Sequence, residues 1–396
     1  MQRRTNILYL GTYERDYPRN RLTIAALRRA GYMVEEIHSP IWTNSADKTS
    51  LLKSPVTLLR LALRLSRAYV MLIARLGARF RNSDVVMIGY IGQLDMLVLG
   101  PFARFLRRPL IFNPLITLTD TLIDDRRKFR ATSTIARCIR LCDALSLRLP
   151  DTVLVDTLEN AAYLTKLFGV NADRLHVVPV GADEETFIPT PRAPDECSGD
   201  KARITVLFYG TMIPLQGVET IVRAAKLLQG DVDTRFEIIG TGQMLAPVQS
   251  LARELSITNM DFVPRVPFHE LPSRIVRADI VLGIFGETEK AGRVVPNKVY
   301  QAMAMGAAIV TRDSGAARAV LADGASALLV PPGDPDALAN AIRRLYDSTL
   351  RSRIGAAARL RFCETATLDV QAAALTEAVD ATLLRSKRRH IWRVPA

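Results

Sequence analysis

DIVLGIFGETEKAGRVVPNKVYQAMAMGAAIVTRD, residues 279–313, holds the pattern that decides the fold. Its first seven residues are mostly apolar and β-branched, which predicts a strand over 279–285. A polar loop containing Gly286 and Gly292 follows. Residues 297–305 then carry helical spacing. Pro296 stands at the start and Gly306 at the end, the usual asymmetry of helix termini. A second strand is expected at 307–311. Strand, helix and strand in so short a span make a βαβ unit, and such units build parallel sheets covered by helices. The start of the helix is the chemically informative point. Its free N–H groups and dipole form an anion site. Arg293 and Lys298 flank it, and two cations there suit a diphosphate.

The same alternation extends in both directions. In the second half, strands are expected at 204–209, 236–240, 260–263 and 327–330, and helices at 217–228, 245–255, 334–346 and 349–362. Residues 188–202, IPTPRAPDECSGDKA, lack periodicity and read as a linker. Before them, strands are expected at 6–11, 34–38, 84–90, 109–113, 152–156 and 175–180, with helices such as 21–30 and 160–168. One core stops growing near roughly 250–300 residues, and the chain has 396. Two α/β domains follow: an N-terminal domain over 1–187, the linker 188–202 and a second domain over 203–372. A C-terminal helix and basic tail, expected to fray, occupy 373–396. Ligands of such sheets bind at the carboxyl ends of the strands, so a cleft between the domains is the expected site.

Composition narrows the class. With 48% hydrophobic and 23% charged residues the chain reads as globular. The most apolar stretch, 85–100, is interrupted by Asp95, so no membrane span is expected. MQRRTNILYLG at the N-terminus has too short an apolar run for a signal peptide and reads as the first strand. A cytoplasmic protein is expected, or one attached to the cytoplasmic membrane from its inner face. The net charge is +13 and the pI about 9.9, which favours a polyanionic partner. Residues 53–81 set Arg60, Arg64, Arg67, Arg75 and Arg79 among Leu, Ala, Val and Met. This basic amphipathic pattern fits an anionic membrane surface, and equally a helix laid on a sheet with its arginines wet. Nucleic acid is not expected, because aromatics are only 6% and no recognition motif occurs. Cys138, Cys142, Cys197 and Cys363 lack metal-ligand spacing. Asp231 and Asp233 match D-x-D but lie in a turn-forming context. No metal and no cofactor are expected.

Gln301-Ala-Met-Ala-Met-Gly306 resembles the end of the donor motif of retaining GT-B glycosyltransferases of family 4. That motif runs Glu, seven residues, Glu, then A-M-A-x-G. Gln301 stands at the second Glu and Arg293 at the first. In the family the second Glu binds the donor ribose and the first holds the donor sugar. Gln301 brings one acceptor and two donors in place of a carboxylate, and Arg293 brings donors alone. The run from Val295 to Gly306 resembles a bacterial sub-branch with Gln at that position. FYGTMIPLQG, 208–217, resembles the family's diphosphate loop. Gly210 and Gly217 match, while Thr211 and Gln216 occupy the region of its Arg and Lys. VVPVGADEETFIP, 177–189, resembles the interdomain hinge through Pro179, Gly181, Asp183, Phe187 and Pro189. FEIIGTG, 236–242, resembles the strand and G-x-G near the nucleotide, with Gly240 and Gly242. Arg265 would approach the base. The resemblance covers the whole chain, strongest over 175–345 and weakest over 40–150.

The resemblance implies a GT-B fold: two doubly wound, Rossmann-like α/β domains facing each other across a cleft. It implies transfer of a sugar from a nucleotide-diphosphate sugar to a hydroxyl acceptor, with retention, in polysaccharide, glycolipid or related glycoconjugate synthesis. The acceptor would be a glycan, a lipid-linked sugar or a small molecule. Arg293, Lys298 and the helix start would stabilise the departing diphosphate. Pro296, Asn297 and Gln301 would complete the donor site. On the acceptor side, the loop after the first strand offers Glu14, Arg19 and Asn20. Residues 113–126 offer Asp120 and Asp124, of which Asp120 is the candidate to accept the acceptor's proton. His38 is a further candidate. Two rivals stand beside this reading: a GT-B sugar-nucleotide epimerase and a non-catalytic nucleotide-sugar-binding protein.

Overall fold

A computed structural model describes residues 5–41, 55–190 and 203–391. Residues 191–202 of the expected linker, Cys197 among them, lie outside the described residues, as do residues 53 and 54 of the basic stretch. The chain forms two compact units, Met1–Pro179 with Leu368–Ala396, and Val180–Thr367.

The first unit is a parallel sheet of β1 (Asn6–Gly11), β2 (Met33–His38), β3 (Val85–Ile88), β4 (Leu110–Phe112), β5 (Thr152–Val155) and β6 (Leu175–Val177), in the order β2-β1-β3-β4-β5-β6. Its helices are α1 (Pro18–Arg29), α2 (Pro55–Asn82), α3 (Gln93–Phe105), α4 (Thr134–Arg148) and α5 (Leu158–Phe168). β3 and β5 are buried throughout, as strands covered on both faces must be. Met96, Leu99 and Leu147 form one core cluster with Leu72, Leu76 and Phe80 of α2. A second cluster joins Ile24 and Leu27 of α1 to Leu375 and Val379 of the last helix.

In the second unit the order is β12-β11-β10-β7-β8-β9, again all parallel. The strands are β7 (Ile204–Tyr209), β8 (Thr234–Ile239), β9 (Met260–Val263), β10 (Ile280–Leu282), β11 (Ala308–Arg312) and β12 (Leu328–Val330). The helices are α6 (Val218–Leu227), α7 (Leu245–Glu254), α8 (Leu271–Arg277), α9 (Glu289–Arg293), α10 (Asn297–Met305), α11 (Gly315–Val320), α12 (Pro335–Arg344) and α13 (Ser348–Thr365). The two six-stranded parallel sheets give the α/β, two-domain architecture that the alternation predicts.

The boundaries differ in detail. The chain leaves the first unit after Pro179, so 180–187 belong with the second. The last helix, α14 (Leu368–Ile391), starts before 373 and returns to the first unit. Arg29 pairs with Asp369 at 2.7 Å, and Thr382 Oγ1 donates to Thr152 Oγ1 at 2.7 Å. The start of the expected frayed tail is helical, and Arg385 there donates to Thr152 Oγ1 at 2.8 Å; residues 392–396 lie outside the described residues. The strand expected over 279–285 stops at Leu282, and Gly283 O accepts from the Lys298 amine at 3.3 Å.

α2 has two apolar faces. Ala68, Leu72, Leu76 and Phe80 are buried, whereas Val56, Leu59, Leu63, Val70 and Ile73 are exposed. Arg60, Arg64 and Arg67 are exposed beside the second set, and residues 55–82 contain no acid. Among the described residues no helix is long and apolar enough to cross a membrane.

Candidate functional site

In a doubly wound sheet, ligands bind beyond the strand ends where the strand order reverses. In the second unit that point lies between β7 and β10. The chain leaving β7 turns at Gly210, and its contour is fixed by glycines. A β-carbon at Gly240 would collide with the Gly210 carbonyl, one at Gly242 with the Met212 carbonyl, and one at Gly217 with the backbone of Phe285 and Gly286. All four glycines have positive φ. Gly240 and Gly242, expected near the nucleotide, thus have a backbone-packing reason of their own: they let the 240–242 turn lie against the 210–212 turn.

Two helices begin here. α6 starts after Gly217 (φ 61°) and α10 after Pro296, and no side chain caps either one. Elsewhere in the unit α9, α11, α12 and α13 are capped by Thr288, Ser314, Asp334 and Asp347, while α7 and α8, like α6 and α10, start without a side-chain cap. An uncapped start leaves N–H groups and the positive end of the dipole to meet an anion.

Lys298, in the first turn of α10, ties the two starts together. Its Nζ donates to Gln216 Oε1 at 2.6 Å and to Gly283 O at 3.3 Å, and it lies 3.5 Å from the centre of the Phe208 ring. A β-carbon on Gly210 would come within 3.4 Å of it. The side chain is buried, and burial pushes the amine well below the usual lysine range. Among the described residues no carboxylate pairs with it. A diphosphate would supply the missing negative charge, and its approach would favour the protonated amine. Gln216 is thus the partner of Lys298, an arrangement hidden in the sequence by a separation of 82 residues.

One turn further along α10, Gln301 is buried and its Oε1 accepts from the Tyr209 hydroxyl at 2.9 Å. Arg293 ends the short α9, whose start is capped by Thr288, and its Nη1 lies 3.4 Å from Glu289 Oε2. Glu289 is almost fully exposed, so this pair is screened and weak. Arg312 bonds the carbonyls of Gly286 and Thr288, and so shapes the loop that leads into α9. Asn297 is half-buried at the start of α10, while Thr211 and Arg265 are exposed beyond β7 and β9. Gly210, Gln216, Lys298 and Gln301 therefore gather around one pair of helix starts. Of the D-x-D pair, Asp231 accepts from Arg343 at 2.8 Å, and Asp233 pairs with Arg203 at 3.0 Å and Arg235 at 3.1 Å.

The first unit uses its polar residues differently. Its strand order reverses between β1 and β3. Arg19 is 2% exposed; its Nε donates to Asn113 Oδ1 at 2.8 Å and its Nη1 to Val178 O at 2.7 Å. Asn20 is fully buried. Its Oδ1 accepts from Tyr9 and Tyr90 N, and its Nδ2 donates to the carbonyls of Glu14 and Tyr90. Both serve as internal struts. Glu14, half-buried, contributes its backbone carbonyl to that set. His38 stacks on Tyr13, and burial lowers its pKa.

Asp120 lies on a π-helical turn, Thr119–Asp125, and lines a small recess with Thr117, Asn160 and Tyr163. Asp124, exposed on the same turn, is 3.4 Å from the Tyr163 hydroxyl. The turn is held from below by Asp143, which accepts from Leu118 N, Thr119 N and Thr119 Oγ1 at 2.7–3.0 Å. Sequence reasoning passed over Asp95, which accepts from Thr12 N (2.7 Å), Thr12 Oγ1 (2.9 Å) and Tyr69 (3.0 Å) at the reversal point. Its one signal was an acid alone in an apolar run. Burial pushes Asp95 and Asp143 each up to about 6.

Residues 203–348 match a family model described as Glycosyl transferases group 1. The D-inositol 3-phosphate glycosyltransferase of Xylanimonas cellulosilytica is 30% identical over 225 residues, covering 53% of this chain and 52% of that protein. A GDP-mannose-dependent alpha-(1-6)-phosphatidylinositol monomannoside mannosyltransferase of Mycolicibacterium smegmatis is 31% identical over 201 residues, 48% of this chain and 52% of that protein. The chain spans about half the length of these curated relatives. Among solved structures, sucrose-phosphate synthase from Thermosynechococcus elongatus aligns with a TM-score of 0.70 at 18% identity, covering 95% of this chain and 98% of that one. Anabaena HepE in complex with UDP-glucose aligns with a TM-score of 0.68 at 16% identity, covering 95% and 99%. The architecture is that of the GT-B fold.

Proposed function

We propose that the protein is a glycosyltransferase that moves a sugar from a nucleotide-diphosphate sugar to a hydroxyl acceptor. The observation that carries this reading is the pair of uncapped helix starts, α6 and α10, joined by the carboxylate-free Lys298 amine. The match over 203–348 and the glycosyltransferase names of the relatives support it. In the reaction the bond from the sugar's anomeric carbon to the diphosphate oxygen breaks. The electron pair leaves with the nucleoside diphosphate, held by the helix dipoles, Lys298 and Arg293. The acceptor oxygen bonds to the anomeric carbon and gives up its proton, for which Asp120 is the candidate base. Retention of configuration, the sub-branch with Gln301 in place of Glu, and a role in polysaccharide or glycolipid synthesis are further parts of the proposal. So is catalysis without a metal. The exposed apolar and arginine-rich side of α2 supports peripheral docking on an anionic membrane from the cytoplasmic side.

The test is thermal stabilisation by UDP, GDP, ADP and their sugar conjugates, followed by product analysis with the conjugate that binds. A ligand of the folded state raises the melting point. Released nucleoside diphosphate together with a glycosylated product supports transfer. Interconversion of the sugar on the nucleotide, without transfer, would instead identify an epimerase. Binding with no turnover of any acceptor would favour a non-catalytic protein.

A further inference from the structure

Gln301 is 5% exposed and sits in the middle of α10. Among the described residues its one hydrogen bond is the 2.9 Å contact in which the Tyr209 hydroxyl donates to Oε1. The alternative acceptor for that hydroxyl, the Lys298 carbonyl, is farther away at 3.4 Å. Tyr209 lies at the end of β7 and is nearly fully buried, and burial raises its phenol so that it keeps its proton and remains a donor. The amide of Gln301 is therefore held one way round. Its oxygen faces Tyr209, and its Nε2, with two N–H donors, is left without a partner among the described residues. Nε2 is not one of the sealed-off, unsatisfied polar atoms.

Position says what that nitrogen can reach. Gln301 follows Asn297 by four residues, so it lies on the same side of the helix, about 6 Å along the axis from the helix start. Helical side chains lean toward the N-terminus, which directs the amide to the end where Lys298 and the free N–H groups await a diphosphate. The groups joined to that diphosphate in a nucleotide sugar are rings carrying hydroxyls, the ribose and the transferred sugar.

We propose that Tyr209 is a positioning residue: it locks the Gln301 amide so that its N–H groups donate to a ring hydroxyl next to the bound diphosphate. This rests on the nucleotide-sugar reading of the site, in which position 301 meets a donor ring, and adds the residue that fixes how the side chain there is presented. A carboxylate at 301 would accept a hydrogen bond from that hydroxyl, whereas the locked amide gives one to its oxygen.

The experiment measures the affinity of the full chain for UDP and GDP beside their 2′-deoxy and 3′-deoxy forms. A second arm compares the accepted nucleotide sugar with donors deoxygenated on the transferred ring. A hydrogen bond of this kind corresponds to roughly a 2- to 12-fold preference. Wild type is expected to prefer the intact ring in one arm, and that arm identifies which ring is read. Tyr209→Phe should bring the preference below about twofold, raise KM and leave kcat within about twofold. Gln301→Ala should do the same. The double variant should be no worse than Gln301→Ala, because Tyr209 acts through that amide. Melting temperatures confirm that both variants fold. A Tyr209→Phe protein that keeps the full preference overturns the proposal, as does loss that simply adds to that of Gln301→Ala. Equal binding of intact and deoxy forms in both arms by wild type also overturns it. A folded wild type that binds no nucleoside diphosphate defeats the donor-site reading itself, a distinct result because it precedes any mutation.

Discussion

The two units share a parallel, doubly wound plan, yet they place polar side chains at their reversal points in opposite ways. In the first, Arg19, Asn20 and Asp95 are buried in bonds to their own unit. In the second, Lys298 and Gln301 each have hydrogen-bonding capacity left over, beside two uncapped helix starts. Asn20 is a strut, saturated within its own unit, whereas the Gln301 amide keeps two N–H donors to spare. Residue type alone therefore does not separate a strut from a candidate site residue; the hydrogen bonds it has left to make do.

Substituting each buried basic side chain tests this most severely. Lys298→Met should lower the transfer rate by about two to three orders of magnitude, with an unchanged or higher melting temperature, because an unpaired buried amine costs stability. Near-normal turnover would remove Lys298 from the mechanism. Arg19→Met should do the reverse. It strands the carbonyl of Val178 and the side chain of Asn113, at a cost of about 2–3 kcal/mol, while nucleotide affinity stays as in wild type. Denaturant unfolding and a binding titration, run on both variants, would show whether the roles divide this way.

The outer surface offers a smaller contrast. Leu59→Asp with Leu63→Asp on α2 should weaken binding to vesicles containing anionic lipid by about tenfold, since two apolar contacts become acidic. Transfer to a water-soluble acceptor should be unaffected. Equal sedimentation of variant and wild type with such vesicles would remove α2 from membrane binding.

Acid provides the mildest test. In the first unit, burial holds Asp95 and Asp143 up at about 6, above the ordinary 3.8. The stability these groups contribute is fully present below the ordinary value and is lost as pH rises through 6. In the second unit, Asp233 and Asp313 are held below their ordinary value by arginines, so theirs is lost as pH falls. The melting-temperature difference between wild type and Asp143→Asn should therefore change by a few degrees, in the direction of a relatively weaker wild type, between pH 4 and 7. A constant difference would mean that Asp143 has an ordinary pKa.

The order of strands and helices was legible because apolar periodicity is local. So were the Pro296 and Gly306 ends of α10, since each acts on its own backbone. Strand lengths were less legible: the 279–285 run ends at Leu282, where the chain turns to meet Lys298. The site was half visible. Lys298 and Gln301 stood out in one short stretch, but their partners Gln216 and Tyr209 are 82 and 92 residues away in sequence. Arg19 and Asn20 looked like charge and polarity on a loop, and become struts only when the sheet brings Asn113 and Tyr90 against them. No local pattern announces such a meeting.

The interlocked turns at Gly210, Gly217, Gly240 and Gly242 carry a consequence for how this site changes over time. Their contour follows from the places where a side chain is missing. Thr211 and Gln216 stand where the resembled family has cations, on a loop whose turns close through backbone packing. Such a frame would keep its backbone mould while the charged positions on it change. It is an architecture in which the positions without side chains set the mould and the charged ones furnish it.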